Sequence, residues 1–426
     1  MLGYAHGMTT TDDIVRPLSL TVGLIARFWP QLLLLGAIGY VARDLLLNAA
    51  VTVGLVNPLG GMVVLSLVVL TKLLVIVAMF VALRPGLPAL ASLRQMSASG
   101  AKQEKTSQPA DHLLAVTAAA ILPFFAYYAA WGFLGDSVRE YSRLALERIP
   151  LGESADIFGL LRSSGLIASI VGCWLVRWFA KRMNKGARRP YWRLLVVAAD
   201  ASWIFIGLYA LDIWKDEFIT WIGASALRSE LSMGAGSLVL SIAAHAAEGF
   251  TPVEFRQPGI LEQAQSLFFY ALLPMVWLVM AAIINGYELT AASAAAAPPP
   301  SRGSTWRKWL SDFITHFLGG YRSRYAPIWA CLKLTLGAGL ATLLTFVVAY
   351  RLIGWLCAWL WSGATRTLGA PDLDTWQVVF SFASVFIGSP SDLDGGIVLD
   401  ALRIALLAAV LEFAVAAQRQ PLRVAT

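Results

Sequence analysis

Eight stretches of this chain are long and apolar enough to cross a bilayer as helices. A spanning helix needs about 20 mostly apolar residues. Such runs lie near 32–56, 59–83, 113–135, 158–180, 191–213, 264–286, 327–350 and 397–418. Within hydrocarbon each backbone N–H and C=O must find a partner in the protein, which leaves helices or closed barrels; continuous runs of this length specify helices. Of the 426 residues 58% are hydrophobic and only 14% charged, with a mean hydropathy of +0.66. A soluble chain carries roughly 25% charged residues. Too few charges remain here to cover a water-facing surface, so a water-soluble enzyme is excluded. The expected fold is all-α: a polytopic integral membrane protein of about eight transmembrane helices in four hairpins.

An even number of spans puts both termini on one side, and Lys and Arg decide which side. With the N-terminus inside, the inner segments hold 18 of the 33 basic residues and the outer segments 7. The outer segments also hold 14 acidic residues. The net charge of +7 is therefore the sum of an acidic outside and a basic inside. It reports an N-in/C-in orientation and attraction to anionic lipid at the cytoplasmic face, and it makes no case for nucleic acid. The expected location is a cell membrane, multi-pass, with both termini cytoplasmic. The first apolar run follows Arg27, Phe28, Trp29 and Pro30, carries Arg43 and Asp44 at its middle and lacks a small-residue cleavage site. It reads as a retained first helix rather than a cleaved signal. Met8, followed by three Thr and two Asp, is an alternative start to Met1.

Three regions follow from composition. Residues 1–290 form a six-span membrane region, 291–304 an Ala/Pro/Ser-rich cytoplasmic linker, and 305–426 an amphipathic helix followed by a two-span hairpin. In that amphipathic helix Trp306, Trp309, Leu310, Phe313, Ile314, Phe317 and Leu318 recur at helical spacing, opposite Arg307, Lys308, Asp312 and His316. A basic helix anchored by Trp306, Trp309, Phe313 and Phe317 is expected to lie flat on the cytoplasmic leaflet. Residues 13–28 repeat the device less clearly. Two outer runs, 235–247 and 376–388, are too short to span and suggest re-entrant or interfacial pieces. The spans that follow them begin alike, Gly259 to Glu262 and Gly396 to Asp400, which hints at a parallel repeat of hairpins.

Ionisable residues inside a membrane are costly and mark functional candidates. Arg43, Asp44, Lys72, Asp200, Lys333 and Glu412 are those candidates here. Asp44 and Lys72 each lie 14 residues from Pro58 in the outer turn. An antiparallel pair sets them at equal depth, about 20 Å from the turn at about 1.5 Å per residue. An Asp44–Lys72 contact is therefore expected, either as a static pair fixing register or as a proton- or substrate-coupled site, with Arg43 about 100° round the helix. Lys333 and Glu412 form a second depth-matched pair. Arg351 has Asp400 or Asp394 within reach toward the outer end. Asp200 has no equal-depth partner; Arg177 can reach part-way, or Ser202 or Tyr209 can hydrogen-bond it. Pro123 and Pro274 sit mid-span and free backbone carbonyls.

Many of the sixteen Trp fall at span ends, as an aromatic belt requires; Trp355, Trp359 and Trp361 follow the outer end of the seventh span. There is no Gly-x-x-x-x-Gly-Lys loop, His-Glu-x-x-His pair or Gly-x-Ser-x-Gly elbow. The four His share no metal-ligand spacing, and Cys173, Cys331 and Cys357 show no paired spacing. No cofactor, metal site or catalytic residue is expected. The residues favour a transport or permease-like protein. The alternatives are a non-catalytic assembly subunit in envelope biogenesis with a protein partner, and a lipid-acting enzyme using Asp372, Asp374, Asp392 and Asp394.

Overall fold

The computed structural model describes residues 10–92, 133–149, 194–207, 259–295, 339–369, 372–388 and 396–424, with helical positions scattered through 117–125 and 172–192. Among these the chain is helical, with no strand. The helices are α1 (Thr10–Val56), α2 (Pro58–Leu83), α3 (Phe133–Arg148), α4 (Leu194–Gly207), α5 (Ile260–Ala295), α6 (Leu340–Leu368), α7 (Leu373–Ile387) and α8 (Ile397–Val424). Four segments among the described residues are long and apolar enough to cross a membrane: Ile14–Val56, Pro58–Gly86, Ser266–Asn285 and Leu340–Leu368.

The first helix departs from expectation. Residues 13–28 are no separate surface helix but the N-terminal part of α1, which continues through Pro17 and Pro30. One face is buried along its length: Pro17, Thr21, Leu24, Phe28, Leu32, Gly36, Gly39, Leu47, Ala50 and Gly54. That spacing of three and four is the helical repeat, so one continuous stripe enforces one continuous helix. At about 1.5 Å per residue α1 is about 70 Å long. A hydrocarbon core is about 30 Å thick, so part of α1 must project beyond it.

Successive partners cover this stripe. The C-terminal half of α1 meets α2 across the turn that Asn57 makes; its side chain accepts from the Leu59 and Gly60 N–H groups at 3.0 and 3.3 Å, and Pro58 opens α2. Glycines let the two backbones close. A Cβ on Gly61 would stand 2.7 Å from Gly54 Cα, and a Cβ on Gly39 would meet Val75. The fully buried Tyr141 of α3 fills the space beside Gly54 and Gly61. Gly54→Ala would drive a methyl into the Tyr141 phenol. The expected result is a loss of about 1–3 kcal/mol, the range of an overpacked core. Tyr141→Leu in the same chain should recover much of it, read as midpoints of thermal unfolding by Trp fluorescence.

The helix at the centre is α8. From Ile404 to Val415 every residue is buried, Glu412 included. A helix apolar on all sides is one surrounded by protein or lipid; here α1, α2, α5, α6 and α7 all touch it. Ile397, at its start, abuts Gly36 in the middle of α1, and Gly86, just past α2, abuts Leu24 and Phe28. Glu412 reaches Ala89 and Leu90 beyond α2. So α8 begins half-way along α1 and runs beside its N-terminal half, in the direction of α2.

The seventh predicted span also shifts. Helix α6 starts at Leu340, after Gly339 with a φ of +95°, and it runs to Leu368 rather than ending near residue 350, while residues 327–338 lie outside the described residues. Trp355, Trp359 and Trp361 thus lie within the helix. Helix α5 extends to Ala295, into the first residues of the stretch expected to be linker. The amphipathic segment with Trp306, Trp309, Phe313 and Phe317, the outer run 235–247, and Lys333 lie outside the described residues.

Candidate functional site at a helix break

The run expected at 376–388 forms α7, and its end lies against the start of α8. Gly388 closes α7 with φ +85°, a conformation that favours glycine. Its carbonyl accepts from Trp361 Nε1 at 2.7 Å, and the Ile387 carbonyl accepts from Cys357 Sγ at 3.3 Å. Both donors come from α6. Gly396, which opens α8, lies so close to the backbone of 386–388 that a Cβ would overlap it. The carbonyl end of one helix and the N–H end of the next therefore meet inside the bundle, at the level of the α1 midpoint.

Beside this break Lys72 Nζ of α2 donates to Asp400 Oδ2 at 2.5 Å. Asp400 lies in the first turn of α8, where a carboxylate is favoured by the helix dipole. The expected Asp44–Lys72 contact is corrected. Depth was right, since Gly39 meets Val75 and Gly54 meets Gly61 in matching register. Azimuth was not: Arg43, one residue earlier, sits toward the buried stripe, while Asp44 is exposed and forms no ion pair among the described residues. Lys72 turns to α8 instead.

The other candidates divide by partner. Arg43 forms an ion pair with Glu140 of α3, from the segment expected to be outer loop. Arg148, at the end of α3, adds contacts at 2.6 Å to Asn48 Oδ1 and 3.0 Å to Thr52 Oγ1. Asp200 Oδ1 accepts from Trp203 Nε1 at 3.2 Å, and the neighbouring Ser202 bonds Ser66 of α2 at 2.8 Å. Glu412 accepts from the Ala89 and Leu90 N–H groups. Of the outer acids, Asp372 and Asp374 flank the N-terminus of α7, a place where carboxylates complement the dipole; Asp392 and Asp394 lie outside the described residues.

Pro274 has a counterpart across the bundle. It has no N–H to give the Tyr270 carbonyl four residues back. That carbonyl instead accepts from Arg351 Nε and Nη2 at 2.9 and 2.6 Å, while the guanidinium stands 4.5 Å from the Tyr270 ring centre. Arg351 is thus tied to α5 and not to Asp400, and it continues α6 rather than ending it.

Sequence reasoning passed over Arg403. It sits three residues after Asp400, over the Tyr350 ring at 5.4 Å, facing α6. The signal for it was that the last apolar run contains three charges, Asp400, Arg403 and Glu412, which only a helix sheltered from lipid tolerates. Lys72, Asp400, Arg403 and the two abutting helix ends make up the candidate site. No protein-family model, curated protein or solved structure matches the chain.

Proposed function

We propose that this is a transport protein of the multi-span, permease-like kind, with its working site at the α7–α8 break. The observation that carries the reading is the Lys72–Asp400 pair lying against that break. Discontinuous helices whose ends meet beside charged side chains are how many transporters build sites. Ion pairs inside a membrane bundle mark substrate or proton pathways. The proposal includes the finer topology: eight spans, both termini cytoplasmic in a cell membrane, and the 305–318 helix resting on anionic lipid. The distribution of Lys and Arg supports it.

A second reading draws on the same pair. As a fixed link it would set the register of α2 on α8 in a non-catalytic assembly subunit. The test reconstitutes the full chain in vesicles loaded with a pH-sensitive dye. These are challenged with defined mixtures of amino acids, organic acids, phosphate and phosphorylated sugars. Transport is expected for at least one mixture, and the double variant Lys72→Met/Asp400→Asn should be folded yet inactive. Equal flux in the double variant would reduce the pair to a register link. Stoichiometric co-purification of one protein, with no flux, would favour the assembly subunit.

A further inference from the structure

The side chain of Arg403 stands out for what it does not touch. Its guanidinium lies over the Tyr350 ring, and its Nε is buried without a hydrogen-bond partner. Among the described residues no carboxylate or carbonyl accepts from it. Asp400, one turn earlier on α8, faces Lys72 instead, and Glu412 is held by backbone N–H groups. A guanidinium stays charged at any physiological pH and carries five N–H donors in a rigid fork. Buried donors in folded proteins are nearly always satisfied, and a cation within a bilayer-spanning bundle is costly unless something neutralises it.

We infer that Arg403 binds an oxyanion, the carboxylate or phosphate group of a ligand, between α6 and α8. Three features fit this ligand. A guanidinium lying over an aromatic ring makes no hydrogen bond with it and keeps its N–H donors for a bidentate partner, the geometry that carboxylate and phosphate match. Gly354 leaves room beside that edge: a Cβ there would stand 3.8 Å from Nη2, and anything longer would crowd the fork. The Lys72–Asp400 pair, one turn away, is internally neutral, so the positive charge of Arg403 dominates the place where the anion docks. The inference deepens the transport reading by naming the class of solute, and it rests on that reading only for the word solute. The same oxyanion can come from a free metabolite or from a phospholipid headgroup.

Thermal unfolding of the full chain in an uncharged maltoside detergent tests the inference without any flux. The probes are inorganic phosphate, succinate and short-chain phosphatidylglycerol, each compared with chloride at equal ionic strength. At least one probe should raise Tm by roughly 3 °C or more at saturation. Arg403→Gln should abolish that rise, and Arg403→Lys, which keeps charge but loses the fork, should diminish it. Gly354→Leu leaves the arginine in place and should also abolish the rise, which covers the case in which Arg403→Gln does not fold. A response to phosphate or succinate assigns the site to a free anion. A response to phosphatidylglycerol alone assigns it to a lipid headgroup. If no probe exceeds chloride in the natural chain, or if Arg403→Gln keeps the full rise, the inference is overturned. Binding with no flux in vesicles would count against transport alone, and flux with no binding against the oxyanion site alone.

Discussion

Asp400→Asn should destabilise the folded protein by about 3 kcal/mol, Lys72→Met by a similar amount, and the two together by far less than the sum. Removing one member of a buried ion pair typically costs about 3–5 kcal/mol, because the other charge remains in a poorly solvated place, whereas replacing both with uncharged groups is often nearly neutral. The low end is expected here, since the two side chains keep 19% and 22% of their surface exposed. Unfolding midpoints in a denaturing-detergent titration would give the four corners of the cycle, and strictly additive losses would rule out the coupling. The cycle also prepares the functional test. Stability returns in the double variant while charge does not, so flux in that protein separates a working pair from a structural one.

The second large effect is expected at Glu412. Pro88 opens the short helical turn at 88–92 and has no N–H to offer, and Leu87 before it has no side-chain oxygen to cap the turn. Glu412 supplies the missing acceptor from another helix, taking the Ala89 and Leu90 N–H groups while only 5% exposed itself. It thereby ties α8 to the segment that leaves α2. Glu412→Ala removes a charged acceptor from two donors and opens a gap, for a loss of about 3–5 kcal/mol. Glu412→Gln keeps the volume but turns one acceptor into a donor facing an N–H group, so about 1–2 kcal/mol is expected. Trypsin cleavage at Arg94, Lys102 or Lys105 should also accelerate in Glu412→Ala, and an unchanged digestion pattern would argue against the tie.

Part of this architecture is legible in the amino-acid order alone. Helix α2 occupies Pro58–Leu83 where 59–83 is expected, α8 starts at Ile397, and Pro274 does release a carbonyl, taken by Arg351. The depth arithmetic for Asp44 and Lys72 places the two residues at one level, since helical rise is the same in every helix. It does not supply the direction round the axis. In water, the polar face of a helix shows which side is out. In a bilayer, lipid tails and protein interiors are equally apolar, so the apolar stripes of α1 and α6 look alike on both sides. Only the three-and-four spacing of Leu32, Gly36, Gly39 and Leu47 points to Arg43 rather than Asp44 as the inward charge.

Composition and periodicity alone determined that this chain is helical and membrane-embedded, because hydrocarbon admits no unpaired backbone and the runs are long enough to cross it. The distribution of Lys and Arg is what supports the proposed orientation. Tertiary structure decided which helix is central and which charges meet. Lys72 and Asp400 are 328 residues apart, and their meeting depends on α8 entering half-way along α1, a placement that no local pattern encodes. The same placement set Arg403 against Tyr350 with its donors unclaimed, which gives the chain its most specific chemical clue.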